Sequence, residues 1–496
     1  MEREIFEQQV AQGYDRIPLV LETLADLDTP LSLYIKLANT PYSFLLESVV
    51  GGERFGRYSF IGLSCPVRIE HAHGQTRVLR EETVIETDEG NPLDFIEAYQ
   101  KRWKVAPLPK AARFCGGLAG YFAYDVARWI EPRLQKTSPK RDALNIPDIL
   151  LVLTEKLAVI DNVAGKIYLI VYADATDPEG YEKAQVEIAR LQAALRQSVN
   201  IPQSNATNVP AEVERPFAQA DYLKAVEVAK EYIMAGDLMQ VQIGQQLHKS
   251  FPHDPLALYR ALRSINPSPY MYFYHMGNFH IVGASPEILV RQEQREEGSV
   301  VVLRPIAGTR KRGMTPEEDK ALEIELLADP KERAEHVMLI DLARNDIGRI
   351  AEVGSVKVTE QMIVERYSHV MHIVSNVEGR LKPGVSALNV MKATFPAGTL
   401  TGAPKIRAME IIDELEPTKR GLYGGACGYL SFQGDMDLAI AIRTGVIKDG
   451  VLYVQASGGV VADSTPMGEW QETENKMRAV VRAAEWVDAG LDSKNA

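Results

Sequence analysis

Three charged side chains near the C-terminal end of the sequence have a spacing that suits ion binding: Glu469, Glu472 and Lys476. Either Ser464 or Thr465 is suited to cap a helix that begins just before them. On such a helix the two carboxylates lie one turn apart, and the ammonium group lies one turn further along the same stripe. The stripe can hold a divalent cation beside an anion, and an ordinary solvated, charged helix would carry the same pattern.

A third carboxylate, Glu335, lies in a predicted helix with an unusually polar series of residues. The run from Asp341 to Asp346 follows it, with only Leu342 and Ala343 apolar. Charged groups on a partly buried helix need partners, so Glu335 is a candidate ligand for the same cation. A position on the surface of the helix is the alternative.

Several short stretches offer groups that bind carboxylates. Gly308 and Thr309 follow a predicted strand and present backbone N–H groups and a hydroxyl, although a simple turn would look the same. The turn over 398–405 lacks the GxxxxGK[ST] spacing of a phosphate loop, yet the N-terminus of the helix after it suits a carboxylate. Arg443 lies in an apolar strand predicted over 439–444 and there requires an anionic partner or a solvated cavity. The other candidates are Tyr423, Ser457, Gly458 and Gly459.

Two histidines, His369 and His372, lie three residues apart in a predicted strand. Side chains at that spacing point to opposite faces of a sheet, so the two would not bind one metal together. We expect His372, flanked by Met371 and Ile373, to be the more buried of the two. A hydrogen-bonded core histidine is the alternative to a catalytic one.

The elements that must position these groups form two sets along the chain. Mainly strands are predicted from residue 31 to about 173, followed by a helix over 179–197 and a polar linker over 198–216. The later part alternates helices with strand pairs, and its helical region over 315–349 is expected to break at Asp329-Pro330. We predict an α+β fold of large antiparallel β-sheets packed face to face with helices outside, in two intertwined domains over 1–205 and 206–496.

Composition limits the class of protein. A chain of 496 residues can bury a large core, and its formal charge of −12 with no basic run argues against a nucleic-acid partner. The three cysteines are widely spaced, which favours reduced thiols, and no apolar segment is long enough for a membrane span. The chain is therefore expected to be cytoplasmic, and an anionic ligand must be held by local cations or a metal.

Together these stretches resemble the chorismate-utilising enzymes, and within that family the anthranilate synthase component I branch. The resemblance implies that chorismate and ammonia are converted into anthranilate and pyruvate, the first step of tryptophan biosynthesis. It runs from about Leu45 to Lys476. It rests on motifs that occur in the family's order: Pro305-Ile306-Ala307-Gly308-Thr309-Arg310, Glu335-His336, Asp341-Leu342-Ala343-Arg344-Asn345-Asp346, Thr399-Leu400-Thr401-Gly402-Ala403-Pro404-Lys405, and Glu469, Glu472 and Asn475-Lys476.

The resemblance assigns roles to the candidate residues. It implies that Mg²⁺ is held by Glu335 and Glu472, with Glu469 as a nearby second carboxylate, and leaves Glu474 as surface charge. The metal would bridge to the ring carboxylate of chorismate. His372 and Thr401 match family residues beside the reacting ring and the departing C4 hydroxyl. The implied contacts to the substrate carboxylates are Gly308, Thr309, Tyr423, Arg443, Ser457, Gly458, Gly459 and Lys476, and Ser457 stands where the family often has glycine.

Single positions separate the branches of the family. Aminodeoxychorismate synthases resemble this chain but commonly place a nucleophilic lysine where it has Ala307, which has no nucleophile to offer. Isochorismate and salicylate synthases are similar but place a lysine base where Gln240 aligns, and a glutamate where Arg304 aligns. An amide cannot act as that base. Ammonia therefore remains the expected nucleophile.

The resemblance also implies two partners. No glutaminase-like pairing is apparent around Cys65, Cys115 or Cys427, so a separate glutamine amidotransferase subunit is expected to supply ammonia through a channel, as part of a heterotetramer. Two stretches are similar to the family's tryptophan feedback site, where binding would favour an inactive arrangement. A tryptophan-binding regulatory chain without catalysis is the non-enzymatic alternative, which the presence of the carboxylates and His372 disfavours. The implied tryptophan contacts are Glu47, Ser48, Pro269, Tyr270 and Met271.

Overall fold

Two antiparallel sheets of 12 strands each form the centre of the molecule. They are seen in a computed structural model that describes residues 2–49, 56–108, 112–137, 141–201, 213–367 and 370–491. The sheets confirm the predicted α+β class. In chain order the strands are β1 (Arg16–Leu24), β2 (Ser43–Glu47), β3 (Tyr58–Gly62), β4 (Val67–Ala72), β5 (Gln75–Arg80), β6 (Thr83–Asp88), β7 (Gly117–Phe122), β8 (Ile149–Thr154), β9 (Lys156–Asp161), β10 (Lys166–Asp174), β11 (Val213–Glu214), β12 (Gln240–Ser250), β13 (Tyr270–His275), β14 (Phe279–Ser285), β15 (Ile288–Arg295), β16 (Gly298–Leu303), β17 (Ile306–Lys311), β18 (Lys357–Arg366), β19 (Val370–Arg380), β20 (Gly402–Ala403), β21 (Ala426–Ser431), β22 (Met436–Ile440), β23 (Thr444–Lys448) and β24 (Val451–Val460).

The helices begin where the sequence carries capping signals. Asp329 accepts hydrogen bonds from the N–H groups of Lys331 and Glu332, and so caps one helix just where the previous one ends. The predicted break at Asp329-Pro330 is confirmed. The helices are α1 (Arg3–Ala11), α2 (Pro30–Leu37), α3 (Pro92–Gln100), α4 (Ala127–Ile130), α5 (Gly180–Leu195), α6 (Gln219–Met234), α7 (Pro255–Ile265), α8 (Pro316–Ala328), α9 (Pro330–Gly348), α10 (Ala387–Thr394), α11 (Lys405–Leu415) and α12 (Pro466–Asp488).

Both sheets combine strands from the two halves of the chain. The first has the order β1-β10-β9-β3-β2-β13-β14-β23-β24-β12-β11, with β20 beside β12. The second has the order β17-β19-β16-β15-β22-β21-β7-β8-β4-β5-β6, with β18 beside β19. The halves join where β2 pairs with β13 and where β7 pairs with β21. The predicted parts 1–205 and 206–496 therefore share both sheets, and their boundary falls within 202–212, outside the described residues.

The largest apolar core lies between the facing sheets. Tyr429 of β21 stacks on Phe114 with ring centroids 4.5 Å apart and meets Phe60 of β3 edge-on at 5.7 Å. Tyr274 of β13 is fully buried and donates its hydroxyl to the carbonyl oxygen of Gly428, across the interface between the sheets. Aromatic side chains bury the most area per residue, so these contacts hold the two sheets together.

The state of the cysteines and the character of the helices were both predicted from composition. All three cysteines, Cys65, Cys115 and Cys427, are free and buried, which agrees with reduced structural thiols. Among the helices of the described ranges, none has both the length and the apolar character needed to cross a membrane.

Candidate active site

Helix α12 presents the charged stripe found in the sequence. Thr465 is its N-cap and accepts a hydrogen bond from the N–H of Gly468 at 3.3 Å. Glu469 in the first turn is buried, with 8% of its surface exposed. Glu472, one turn further on, is half-exposed, and its carboxylate lies 2.6 Å from the ammonium group of Lys476. The predicted helix and the spacing of its charges are confirmed.

Glu474 on the same helix does not match its predicted role as surface charge. Its carboxylate lies 2.6 Å from Nη2 of Arg215, and its Oε1 accepts a hydrogen bond from the amide of Gln245 at 3.0 Å. The side chain is only 26% exposed, because these contacts tie α12 to β12 and to the segment before α6. Glu474 therefore has a structural role that helical spacing did not indicate.

Strand β24 lies directly against the charged stripe. A Cβ atom at Gly458 would come within 2.5 Å of Oε2 of Glu469, so only glycine lets this carboxylate approach the strand. The carbonyl oxygen of Ser457 accepts a hydrogen bond from Lys476 at 2.9 Å. Lys476 therefore bridges β24 and Glu472, and its third N–H direction remains for a ligand.

Three carboxylates of this region act on one another electrostatically: Glu335 on α9 and Glu469 and Glu472 on α12. Burial raises the pKa of Glu335, and the charges of Glu332 and Glu472 raise it further. Burial likewise raises the pKa of Glu469, with a contribution from Glu472. Oε2 of Glu469 is buried and has no hydrogen-bond partner among the described residues. A cation at this point would relieve the repulsion and satisfy that oxygen.

The carboxylates fit Mg²⁺ rather than a metal that is enclosed by protein. Within the described ranges no three histidine, cysteine, aspartate or glutamate side chains converge into a ligand set of their own. Mg²⁺ commonly takes only one or two protein carboxylates and fills its other positions with water and substrate oxygens. The residues present are therefore sufficient for that ion, provided that a ligand contributes the remaining oxygens.

Arg443 supplies a second cationic group, in addition to Lys476. The strand predicted over 439–444 is wrong at this point: β22 ends at Ile440, β23 begins at Thr444, and Arg443 lies between them with a φ of 51°. Its guanidinium makes no hydrogen bond or ion pair with the described residues, and burial lowers its pKa. A charge that has lost water without gaining a protein partner favours an anionic ligand.

Tyr423, Ser457 and Gln242 form a buried chain of hydrogen bonds beside Arg443. The phenol oxygen of Tyr423 lies 2.8 Å from Oγ of Ser457, which donates to Oε1 of Gln242, also at 2.8 Å. Two residues before Gln242 on β12, the amide of Gln240 interacts with Glu335 and lowers that residue's pKa. β12 thus connects the substrate-binding candidates to the carboxylates.

His372 on β19 faces this group from the second sheet. It is half-buried and points away from the core side, which Met371 and Ile373 occupy. Its Nδ1 lies 3.1 Å from the carbonyl oxygen of Gly308 and 3.0 Å from Oγ1 of Thr309. A carbonyl only accepts, so Nδ1 carries the proton and Nε2 keeps a lone pair. Burial lowers the pKa of His372 and the Arg443 charge adds to this, so the ring is neutral at pH 7.

His369 and Gly308 are two further residues that the sequence singled out. His369 lies outside the described residues, so its burial relative to His372 stays untested. Gly308 sits at an irregularity in the pairing of β17 with β19 and has a φ of 75°. A Cβ there would contact Leu326 and Ile373 at 3.2 Å, so the position requires glycine.

Glu287 is a site residue that the sequence reasoning missed. It follows β14 and accepts a hydrogen bond from Oγ1 of Thr399 at 2.9 Å. Burial raises its pKa to about 7, while Thr399, Lys476 and Arg443 oppose the rise. The available signal was a single acid between two apolar runs, Phe279–Ser285 and 288–290, which is an expensive place for a carboxylate without a function.

Thr401 has a different environment from Thr399. It is fully buried, and its hydroxyl donates to the carbonyl oxygen of Ala397 at 3.2 Å. Its own carbonyl accepts a hydrogen bond from the N–H of Gln242 at 2.9 Å, which joins the turn before α11 to β12. Thr399, not Thr401, therefore presents its hydroxyl to an acidic group of the site.

A separate cavity of about 330 Å³ lies between the sheets, away from these residues. Arg291 and Asp437 line it, and their side chains form an ion pair at 2.9 Å. The hydroxyl of Tyr270 contacts both. Glu47 contributes to the wall, but its two oxygens are bound by Tyr259 and Arg263. All five residues predicted for a tryptophan site line this one cavity: Glu47, Ser48, Pro269, Tyr270 and Met271.

The family of the chain is decided by comparison with known proteins. The sequence profile of the chorismate-binding enzymes matches residues 43–482. The chain is a chorismate-binding enzyme. This chorismate-binding enzyme is 57% identical over 493 residues to anthranilate synthase component 1 of Neisseria meningitidis serogroup A, with 99% of each chain covered. It is 53% identical over 498 residues to anthranilate synthase component 1 of Pseudomonas aeruginosa, covering 99% of this chain and 100% of that one.

Its fold is also shared with a solved structure. The crystal structure of anthranilate synthase component I from Streptococcus pneumoniae TIGR4 superposes with a TM-score of 0.76 at 37% identity. The match covers 93% of this chain and 99% of that chain. The predicted membership of this chorismate-binding enzyme, made from short motifs, is therefore confirmed over nearly its whole length.

Proposed function

We propose that this chorismate-binding enzyme is the synthase component of anthranilate synthase, a Mg²⁺-dependent lyase that converts chorismate and ammonia into anthranilate and pyruvate. The observation that carries the proposal is the guanidinium of Arg443, which has no partner among the described residues and whose charge acts on both His372 and Glu287. The full-length similarity to proteins named anthranilate synthase component 1 selects this activity within the family.

Binding of a dianion follows from the cations and donors at the site. Arg443 and Lys476 would each take a carboxylate, and the hydroxyl of Tyr423 adds a donor beside Arg443. The N–H groups of Gly308 and Thr309, and of Ser457 to Gly459, are the further donors that we assign to the substrate. Their effect is strong because these groups lie in a partly desolvated recess.

Two proton transfers can be assigned to residues of the chain. Ammonia would add at C2, both ring double bonds would shift by one position, and the C4–O bond would break as Glu287 gives its proton to the departing hydroxyl, which leaves as water. The added nitrogen would lose its extra proton to become an amine. Nε2 of His372 would then remove the C2 proton while the C3–O bond breaks. The ring becomes aromatic, and the enolpyruvyl group leaves as the enolate of pyruvate, which becomes pyruvate when its methylene carbon takes up a proton.

We assign Mg²⁺ to Glu335 and Glu472, with Glu469 as a nearby carboxylate that binds the ion directly or through water. When bound, Mg²⁺ would polarise the ring carboxylate of the substrate and neutralise its charge. The chain's own contribution is to hold these carboxylates close together, through the N-cap Thr465 and through the close approach that Gly458 permits.

The choice of ammonia as nucleophile is supported by what the site offers. Gln240 contacts Glu335 where a lysine base would be needed to activate water, and its amide has no basic lone pair. Ala307 in β17 offers no nucleophile for a covalent route. Arg304 is buried and paired with Glu365 at 2.6 Å, so it has a structural partner of its own.

The name component 1 in the relatives supports a second subunit. We propose that a glutamine amidotransferase is this partner, that it supplies ammonia, and that the two chains form a heterotetramer. All three cysteines are buried, and burial raises the thiol pKa of Cys65 and of Cys115 to about 12 and raises that of Cys427 strongly, so none of these thiols is suited to act as a glutaminase nucleophile.

We further propose that tryptophan is the feedback ligand of the cavity between the sheets. The five predicted residues line it, and Asp437 and Arg291 provide opposite charges for an amino acid's ammonium and carboxylate groups. Asp437 and Arg291 pair with each other at 2.9 Å, and Glu47, predicted as a partner of the amino group, is likewise paired, with Arg263 and Tyr259. A bound amino acid would therefore have to replace one of these contacts. β22, which carries Asp437, leads directly to Arg443, so a ligand in the cavity can bias the catalytic site.

The proposed activity is tested by following the nitrogen atom. The purified chain is incubated with chorismate, Mg²⁺ and ¹⁵N-labelled ammonium salt, and the products are separated and examined by NMR. We expect ¹⁵N-anthranilate and an equal amount of pyruvate. Isochorismate or 4-amino-4-deoxychorismate as the main product would assign the chain to another branch of the family.

A further inference from the structure

We propose that Gln242, acting through Ser457, sets the direction in which the hydroxyl proton of Tyr423 points, and thereby how tightly the site binds a substrate carboxylate. Gln242 is a positioning residue in this scheme, because it contacts Ser457 and not the substrate. The inference rests on the proposed function in one respect, the assignment of Tyr423 as a carboxylate donor.

The side chains of Tyr423, Ser457 and Gln242 form a hydrogen-bonded relay, and its serine and glutamine have little access to water. Ser457 is 1% exposed and Gln242 is 8% exposed, and Oγ of Ser457 lies 2.8 Å from both of its partners. Gln242 pairs with Gly459 across β12 and β24, and its Nε2 would meet a Cβ at Gly459 at 2.9 Å. Few water molecules can substitute for these contacts, so the protons of the relay must be shared within it.

Counting donors fixes the direction of the relay. A serine hydroxyl has one proton, and Ser457 donates it to the amide oxygen of Gln242. Ser457 must therefore accept from Tyr423, whose own proton is directed at the serine. In this arrangement Tyr423 cannot donate to a carboxylate, although it lies beside the free guanidinium of Arg443.

Substrate binding requires the relay to reverse. When Tyr423 turns its proton towards a carboxylate, its oxygen can accept from Ser457, and Ser457 then needs a donor of its own. A glutamine amide meets this need by rotating, because it has an acceptor at one position and two donors at the other. An acceptor without a proton at position 242 would instead keep the relay in the unreversed direction.

The test uses Gln242→Glu, assayed at alkaline pH where the carboxylate is ionised and can only accept. We expect the KM for chorismate to rise about tenfold, the effect of one lost hydrogen bond to a charged group. As a control for charge, Gln246→Glu places the same carboxylate on the same face of β12, about 13 Å further along. Its KM should stay within about twofold of the starting value, since Gln246 bonds to Lys419 and Gln455 and makes no hydrogen bond with Ser457 or Tyr423 among the described residues.

A double-mutant cycle separates the relay from simple repulsion. The Gln242→Glu substitution is also made in the Ser457→Ala variant, where the relay is broken, and the factor by which it changes KM is compared with its factor in the unmodified chain. We expect the factor to fall from about ten to below about two. An equal factor in both backgrounds would mean that repulsion alone is responsible, and the relay would be rejected.

One further variant distinguishes a failure of the relay from a failure of the proposed function. Tyr423→Phe removes the hydroxyl and should raise the KM for chorismate by about tenfold, the effect of one hydrogen bond to a charged group. If KM rises in this variant while the cycle shows no coupling, only the relay is wrong. If KM does not change, the assignment of Tyr423 as a substrate contact is wrong, and the relay fails with it.

Discussion

The hydroxyl of Thr399 donates a hydrogen bond to Oε1 of Glu287 at 2.9 Å. This contact, with the charges of Lys476 and Arg443, limits the effect of burial, which raises the pKa of Glu287 to about 7. The carboxyl group is therefore protonated in part of the molecules at neutral pH, as a general acid requires. The same recess holds His372 with a lowered pKa, so an acid and a base coexist there.

Replacing the acid should separate activity from stability. Glu287→Gln is expected to lower kcat by about 10²- to 10⁴-fold, the usual contribution of a general acid. The pKa of Glu287 rises from 4.5 to about 7 on folding, so the fold loses stability as pH rises through that interval. The glutamine variant avoids this loss, and its free energy of unfolding at pH 8 should be higher by up to about 3 kcal/mol.

Urea unfolding at two pH values checks the stability effect. Below pH 4.5 the carboxyl group is protonated in both states, so the advantage of Glu287→Gln should disappear there. An equal change in unfolding free energy at both pH values would mean that the raised pKa is not the cause.

Arg443 should be important for binding and unimportant for folding. Arg443→Gln is expected to lower kcat/KM by about 10²- to 10³-fold, because charge-assisted hydrogen bonds to a carboxylate are lost. Its unfolding free energy should be equal to that of the unmodified chain or higher, since the guanidinium has no partner among the described residues and its burial opposes folding. As the matched control, Arg344→Gln removes an exposed arginine paired with Asp341 and should leave both quantities unchanged.

The metal assignment is tested on α12. Glu472→Gln should weaken Mn²⁺ binding, measured by electron paramagnetic resonance, by about tenfold or more and abolish turnover that depends on Mg²⁺. Glu474→Gln removes a nearby acid that binds Arg215 instead, so this control should keep its metal affinity. Normal Mn²⁺ binding by the Glu472 variant would remove Glu472 from the metal site.

Filling the cavity between the sheets should abolish feedback without removing activity. Ala439 lines that cavity and is 1% exposed, so Ala439→Leu occupies space that tryptophan would need. We expect the tryptophan concentration for half-inhibition to rise about tenfold or more, while turnover without tryptophan stays within about threefold. Ala229→Leu fills a separate core and controls for overpacking. Unchanged inhibition in the Ala439 variant would argue against this cavity.

Structural features that depend on a few neighbouring residues could be predicted from the sequence. The capped start of α12, the charge spacing after it and the break at Asp329-Pro330 depend on nearest neighbours, and each is confirmed. The position of Arg443 was predicted wrongly because the apolar run before it continues a strand pattern. Nothing in that run indicates the left-handed turn that ends β22.

Contacts between residues that are far apart in the sequence could not be predicted from local patterns. Glu287 and Thr399 are separated by 112 residues, and only the folded sheets bring them together. Glu474 lies two residues after Glu472 on the same helix, yet its partner Arg215 is 259 residues away. A helix pattern predicts which face a residue occupies, but not what packs against that face. The residues that line the cavity between the sheets were grouped together through the resemblance, and the pairing of β2 with β13 explains why they meet.

The most direct test of the account is the formation of anthranilate by this chain alone. The purified chain is mixed with chorismate, Mg²⁺ and ammonium salt at alkaline pH, where free ammonia is abundant, and anthranilate fluorescence is followed. The account predicts a steady fluorescence increase that is lost on removal of Mg²⁺ or of ammonium and regained when each is restored. No anthranilate under these conditions, with or without an added glutamine amidotransferase subunit and glutamine, would contradict it.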